Sequence, residues 1–264
     1  MAKVYIGTSG YSYKDWIGCF YPEGTADKDF LSCYAASFPF VELNFSYYSM
    51  PTAALLERMA RKVGPEFRFA VKSHKSLTHE ITDRLEKDVE DYKKGVQPLA
   101  DRGQLAAVLV QFPYSFHYTD ANRRHLDLII QSLSGLPLAC EFRNSEWVRD
   151  PVLTGLAERR AAFVNVDQPD LPKLITPSAH VTADFAYIRF HGRNKENWWT
   201  GDNVSRYDYL YADDELSGWL ERLREIVKRV RVLLIAFNNH SRGQAVQNAR
   251  RLKELLLADG MGAE

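Results

Sequence analysis

The chain has 264 residues, 34 basic against 34 acidic side chains, 45% hydrophobic and 26% charged composition. The length suits one complete eight-fold barrel, with two smaller domains as the alternative, and the composition excludes extensive disorder. Balanced charge excludes a global field that draws the protein to nucleic acid or an anionic membrane, so any anion preference must come from a local patch.

Cys19, Cys33 and Cys140 are odd in number, far apart and form no CxxC pair. That argues against a disulfide framework or zinc ribbon and fits a reduced, cytoplasmic setting. The start from Met1 to Gly7 reads as a strand and lacks the apolar core and cleavage site of a secretory signal. No stretch approaches the roughly 18 uninterrupted apolar residues of a membrane span, and no membrane partner is expected.

In chain order, eight β-branched or aromatic runs predict strands at Lys3–Gly10, Phe40–Tyr48, Phe67–Lys75, Leu105–Pro113, Pro137–Asn144, Ala162–Asp167, Phe185–Arg193 and Arg231–His240. Helical periodicity predicts helices at Asp27–Ser37, Thr52–Val63, Asp120–Leu133, Pro151–Arg160, Asp213–Arg229 and Ser241–Leu257. The polar stretch Leu77–Gly103 supplies the connection after the third strand, with Pro98 ending or kinking its helix. Pro169, Pro172 and Pro177 argue against a regular sixth helix. Parallel neighbours need crossovers, usually helical, so the alternation predicts an α/β fold. The expected form is a single (β/α)₈ TIM-like barrel over residues 1–264 with eight parallel strands and an irregular sixth βα unit. A doubly wound open sheet is the alternative. The Trp198–Tyr211 segment reads as a long seventh βα loop whose aromatic content suits a packed lid.

Side chains alternate across a strand, so polarity separates those under the helices from those lining the barrel. In the second strand Val41, Leu43 and Phe45 point outward, leaving Glu42, Asn44 and Ser46 inward. In the third, Phe67, Phe69 and Val71 leave Arg68, Ala70, Lys72 and His74 inward. The same reading adds Gln111, Glu141, Arg143, Asn165, Asp167, Arg189, His191, Asn238 and His240, with Ser9 from the first strand. These groups cluster toward the C-terminal strand ends, where barrel enzymes hold their sites. A closed network of ion pairs without substrate is the structural alternative, although burying so many charges is costly unless water or a ligand reaches them. Arg68 lies low on its strand and is expected to pair with a buried acid.

Two loops add an argument for anion binding. His191-Gly192-Arg193 and Asn238-Asn239-His240-Ser241-Arg242-Gly243 follow strands seven and eight, where barrels often hold phosphate beside a helix N-terminus. Asn239 and Ser241 serve equally well as ordinary helix caps. Tyr11, Tyr13, Trp16, Tyr21, Tyr47, Tyr48, Tyr114, Phe116, Trp147, Trp198 and Trp199 all fall in βα loops, where rings stack on ligands or pack loops together. Gly192 and Gly201 bracket Trp198 and Trp199, as suits a lid.

Residue types that ligate metals are present in His74, His191, His240, Glu42, Glu141 and Asp167, yet no HxH, HExxH or paired-cysteine spacing supports a divalent metal site. No GxSxG elbow, dinucleotide fingerprint or P-loop occurs, so no cofactor is assigned.

Several ordered blocks resemble one family. They are Gly7-Thr8-Ser9-Gly10-Tyr11 with Trp16 and Phe20-Tyr21-Pro22, Glu42-Leu43-Asn44, Gln111-Phe112-Pro113, and Glu141-Phe142-Arg143 with Trp147. Arg189-Phe190-His191-Gly192-Arg193 and Phe237-Asn238-Asn239 with Asn248-Ala249 complete the set. Together they resemble the uncharacterised YecE-like family, formerly classed as a domain of unknown function. The resemblance implies a TIM-like barrel and supplies no reaction. His240 departs from the acidic residue expected after the paired asparagines.

The residues predict an enzyme acting on a small anionic substrate, phosphorylated or carboxylated. Lys72, Arg143 and Arg189 hold the anion or stabilise developing charge, Glu141 or Asp167 acts as base and His191 as acid. Glu42 and Asn44 orient a hydroxyl, Asn238 finishes the anion pocket, and His74, Gln111, Arg193, Asn239 and Trp198 complete the expected substrate contacts. A nucleic-acid-binding protein or nuclease, and a ligand-binding barrel without turnover, are the alternatives. Oligomeric state is not legible.

Overall fold

The computed structural model describes residues 2–80, 82–202 and 204–263; Met1, in the predicted opening strand, lies outside them. Eight parallel strands close into a barrel in sequence order, β8 pairing with β1. They are β1 (Lys3–Ser9), β2 (Phe40–Leu43), β3 (Arg68–Lys72), β4 (Leu105–Gln111), β5 (Leu138–Glu141), β6 (Ala162–Asp167), β7 (Phe185–Phe190) and β8 (Val232–Phe237). Around them lie helices α1 (Phe30–Ala35), α2 (Phe45–Tyr48), α3 (Ala53–Ala60), α4 (Leu85–Asp101), α5 (Asp120–Ser132), α6 (Asp150–Glu158), α7 (Asp213–Ser217), α8 (Leu220–Val227) and α9 (Gln244–Ala258). No helix among the described residues is long and apolar enough to cross a membrane.

The expected barrel and its irregular sixth unit are both present: residues 168–184 cross from β6 to β7 without a helix. Thr182 Oγ1 holds that crossover by accepting from Phe163 N–H and donating to the Ala161 carbonyl. Most strands stop short of their predicted C-terminal ends. After Leu43 the chain turns into α2, so Phe45 and Ser46 leave the strand alternation; Ser46 Oγ donates instead to the Lys72 carbonyl at 2.6 Å. β3 ends at Lys72, and His74 caps the turn Lys75–Leu77 by accepting from Ser76 N–H. Apolar, β-branched residues continue a strand only while a neighbouring ladder is available, and at the barrel mouth that ladder gives way to loops.

Three helix predictions change. α4 runs through Pro98 to Asp101. With Pro98 so near the end, its missing N–H frees only the carbonyl of Lys94, on the exposed face. The single helix expected over Asp213–Arg229 is two, broken at Gly218 and Trp219. The last helix starts at Gln244 instead of Ser241, because Arg242 (φ 52°) and Gly243 (φ 73°) are left-handed. Asn239 is therefore no helix cap.

The interior is layered. At the lower level Phe40 meets Tyr187 edge-on, and Arg68 lies over the Tyr5 ring. Arg68 does not pair with a buried acid: it donates to the Pro65 carbonyl and faces the exposed Glu66. Trp16, Tyr21, Phe116 and Trp147 are buried packing rings between loops and helices.

Candidate active site

Register fixes which side chains share the interior. Arg189 pairs with Ala236 of β8 and Val166 of β6, Gln111 with Glu141, and Glu42 with Ser9 and Ala70. Arg189 occupies the centre and is 2% exposed. Its fork holds Glu42 with Nε to Oε2 at 2.8 Å and Nη2 to Oε1 at 2.7 Å, while Nη1 donates to Glu141 Oε2 at 2.6 Å. Tyr187 donates its hydroxyl to Glu42 Oε2 at 2.5 Å. Glu141 Oε1 lies 2.9 Å from Arg143 Nε and 3.2 Å from His191 Nε2, with neither N–H aligned on it as a hydrogen bond. Burial alone would raise the Glu141 carboxyl, but the charges of Arg189 and Arg143 outweigh it and hold it well below the usual range.

Above this layer opens a cavity of about 380 Å³. Lys72, Arg143, Arg189 and Arg206 supply its cations, Asn44, Gln111 and Asn238 its amides, and Tyr13, Tyr47, Tyr114, Trp198 and Tyr207 much of its wall. Trp198 is nearly buried, with Arg143 over its ring at 5.7 Å. Lys72 Nζ sits 4.3 Å from the Tyr47 ring centroid. Burial, and then the Arg189 charge, push the Lys72 amine down to about 7. His79 is pushed down to about 4 by burial and by the charges of Lys72 and Arg143.

Of the predicted residues, Asn44, Lys72, Gln111, Arg143, Arg189, Trp198 and Asn238 line this cavity. Glu42, Glu141 and His191 are fully buried in the layer around Arg189, and none of them lines the cavity. Asp167 and Asn165 do not point inward. Val164 and Val166 are level with the inward Tyr187 and Arg189, so the alternate positions face the helices. Asp167 there accepts from Arg193 Nε and Nη2 at 2.8 and 2.7 Å, from the Tyr211 hydroxyl at 2.8 Å and from Trp219 Nε1 at 2.7 Å. Arg193, the other expected anion ligand here, is thereby turned outward and also pairs with Glu215 of α7. Asn239 faces outward too, donating to the Tyr209 carbonyl and to Asn248 Oδ1 on α9. His74 is off the cavity wall, having left the strand.

Sequence reasoning missed His79, Arg206 and Tyr207 as lining residues. Arg206 and Tyr207 fall in the segment expected to be a packed lid, and packed it is: Asn194 Nδ2 donates to the Ser205 and Asp208 carbonyls, and Tyr209 N–H to Gln244. His79 lies in a polar stretch with no periodic signal. His240 stacks on Tyr13 at 4.6 Å between centroids, and its carbonyl accepts from Trp16 Nε1, tying the last loop to the first. Among the described residues no group of three or more His, Cys, Asp or Glu side chains is gathered to hold a metal ion.

Burial, reinforced by the Arg143 charge, holds His191 down at about 3, below its ordinary 6.5. Asn238 Nδ2 lies 3.2 Å from its Nδ1, which suits a neutral ring accepting there. The unfolded chain therefore binds the proton that the folded one refuses. His191's contribution to stability is complete above about pH 6.5 and is lost as pH falls toward about 3. Urea unfolding is expected to show about 2–3 kcal/mol of loss from this group between about pH 7 and about pH 4.5, and His191→Gln to flatten that part of the slope. An unchanged slope in a folded variant would show that His191 does not titrate this way.

The fold and site define a parallel eight-stranded barrel with a cation-lined, aromatic-walled cavity at its C-terminal mouth. The family model "Protein of unknown function DUF72" matches residues 5–263, and the chain belongs to that family. UPF0759 protein YunF of Bacillus subtilis (strain 168) is 31% identical over 273 residues, covering 96% of this chain and 94% of that protein. A DUF72 family protein of Thermotoga maritima MSB8 has a crystal structure similar to this chain at a TM-score of 0.89 and 39% identity, covering 97% of this chain and 99% of that one. One from Enterococcus faecalis V583 is similar at 0.84 and 26% identity, covering 96% and 95%.

Proposed function

We propose that this protein is an enzyme that binds a small anionic substrate, phosphorylated or carboxylated, in the barrel mouth and acts on it by acid/base chemistry. One observation carries the reading. Both carboxylates of the central layer are engaged by Arg189, so the cations lining the cavity above it are left with an excess of positive charge. Enclosed, preorganised cations are worth most where water is scarce, and that is the environment in which an anion or a developing oxyanion is best stabilised. Arg143 is the principal anion ligand, Asn44, Gln111 and Asn238 orient substrate hydroxyls, and the rings of Tyr47 and Trp198 enclose the apolar part. Lys72 is the stronger candidate for the base. Glu141, with an arginine against each oxygen and its pKa depressed, is suited to hold Arg143 and Arg189 in place.

The test is thermal-shift titration with inorganic phosphate, sulfate and small carboxylates. Saturable stabilisation is expected, weakened about tenfold to a hundredfold by Arg143→Ala, the loss of one charge-assisted contact, and unaffected by Lys87→Ala on the exposed face of α4. No shift from any anion, or an unchanged response in Arg143→Ala, sinks the reading. Anion binding without turnover of any phosphorylated or carboxylated metabolite favours a ligand-binding barrel instead. Salt-sensitive binding of oligonucleotides favours the nucleic-acid alternative.

A further inference from the structure

Lys72, like Arg206, stands apart from Arg143 and Arg189. Arg189 is matched by Glu42 and Glu141, and Arg143 by Glu141, but among the described residues no carboxylate oxygen lies within ion-pairing distance of Lys72 Nζ. Its backbone is held at the end of β3 by the ladder to β4 and by Ser46 Oγ on its carbonyl, so the amine projects into the cavity from a rigid base. Asn44, also on the cavity wall, carries a buried Oδ1 with no hydrogen-bond partner. A lysine that only secured the fold would be expected to have an acid beside it, and an anchored amine in an open cavity is placed to react.

We propose that Lys72 is a carbonyl-reactive amine, forming an iminium with the aldehyde or ketone carbon of an anionic substrate whose charged end lies against Arg143. The proposal rests on the anion reading above, adds the substrate class, and makes the Lys72 amine the nucleophile in place of the base. The Nζ lone pair attacks the carbonyl carbon as the C=O π pair moves onto oxygen. A proton passes from nitrogen to that oxygen, giving a carbinolamine, whose O–H finds its acceptor in the unpartnered Asn44 Oδ1 on the same cavity wall. A second proton from solvent then lets the oxygen leave as water while the nitrogen lone pair closes the C=N bond. Counted from the ammonium form, one lysine and one carbonyl give one protonated iminium and one water, with no oxidant or reductant.

The groups facing the amine agree with that role. Arg189 from β7 and Arg143 from the loop after β5 oppose its protonation, while Glu141 from β5 and Glu42 from β2 favour it but are already engaged by arginines. The Tyr47 ring covers one side, and His79 nearby is held neutral at ordinary pH. A desolvated amine among other cations keeps a nucleophilic free-base fraction near neutrality that a surface lysine lacks.

The test incubates the full chain at about pH 7.5 with sodium cyanoborohydride and glyoxylate, pyruvate or neutral glycolaldehyde, then maps reduced adducts by peptide mass. Lys72 is expected to label at least about tenfold faster with glyoxylate than the exposed Lys62 and Lys87 of the same molecules, since a lowered pKa raises the free-amine fraction more than it lowers nucleophilicity. Inorganic phosphate should slow Lys72 and not the others. Its rate should level off above about pH 7 instead of climbing toward the ordinary lysine value, a readout that needs no variant. Lys72→Arg should lose that adduct and keep its circular dichroism. Labelling of Lys72 no faster than Lys87, with phosphate still raising the melting temperature, overturns the iminium and leaves the anion reading standing. Labelling by glycolaldehyde but by neither 2-oxo acid, without a phosphate shift, overturns the anionic substrate and the proposed function together.

Discussion

Arg189→Ala is expected to cost about 3–5 kcal/mol or to leave no soluble protein. Arg189 makes three charge-assisted bonds to two carboxylates that are each fully buried. Removing the guanidinium leaves Glu42 with only the Tyr187 hydroxyl and Glu141 with Arg143 as its one arginine, and uncompensated buried charge costs far more than the intact pair contributes. Arg189→Lys should recover only part of the loss, because a point ammonium cannot span Glu42 and Glu141 as a planar fork does. Acid offers a diagnostic. In the alanine variant Glu141 loses the larger of the two arginine charges that hold its carboxyl down, so its folded form takes up a proton at higher pH than in the unmodified chain. The deficit relative to the unmodified chain should therefore shrink as pH is lowered from about 7 toward about 5 in urea unfolding. A deficit below about 1 kcal/mol, or one independent of pH, would mean that Arg189 does not compensate the charge of Glu42 and Glu141.

Asp167→Ala is the second large effect, expected at about 3–4 kcal/mol while anion binding by the folded protein is preserved. Two carboxylate oxygens offer about four lone-pair directions, and here all four are taken by Arg193, Tyr211 and Trp219. Truncation leaves the Trp219 N–H and Tyr211 hydroxyl buried without an acceptor and releases Arg193. Asp167→Asn should be nearly as damaging, because the amide turns donors against donors already in place. Chemical denaturation measures the stability, and phosphate titration below the melting temperature measures the site. Loss of binding or turnover with stability intact would return Asp167 to the pocket. Together the two variants separate acids that look alike in sequence: Glu42 and Glu141 support the cavity floor, and Asp167 locks the outer helices to the barrel.

Most of the barrel was legible because a parallel strand needs a crossover, and the chain shows helical periodicity or a proline-rich gap between successive apolar runs. The phase of the interior was legible wherever polar residues fell on one side only. In β2, β5 and β7 the sequence places Glu42, Glu141 and Arg189 inward, and the structure agrees. β6 defeated the same reasoning. Its run Ala-Phe-Val-Asn-Val-Asp is buried on both faces, and its polar residues serve the outside: Asn165 accepts from Ser178 Oγ and His180 N–H in the helix-free crossover, and Asp167 meets Trp219 at the break between α7 and α8. A strand covered on both sides carries no contrast from which to read its inward face.

The chain by itself determined the parallel barrel, the irregular sixth crossover, and the presence of Lys72, Arg143 and Arg189 near the strand ends, because these follow from periodicity, proline placement and residue type. Only the tertiary structure decided that Asp167, Arg193 and Asn239 face outward, that Arg189 engages both central acids, and that Lys72 is left without one. Those facts depend on register and on where each strand ends. Register is set by pairing and packing between segments far apart in sequence, which local pattern does not encode.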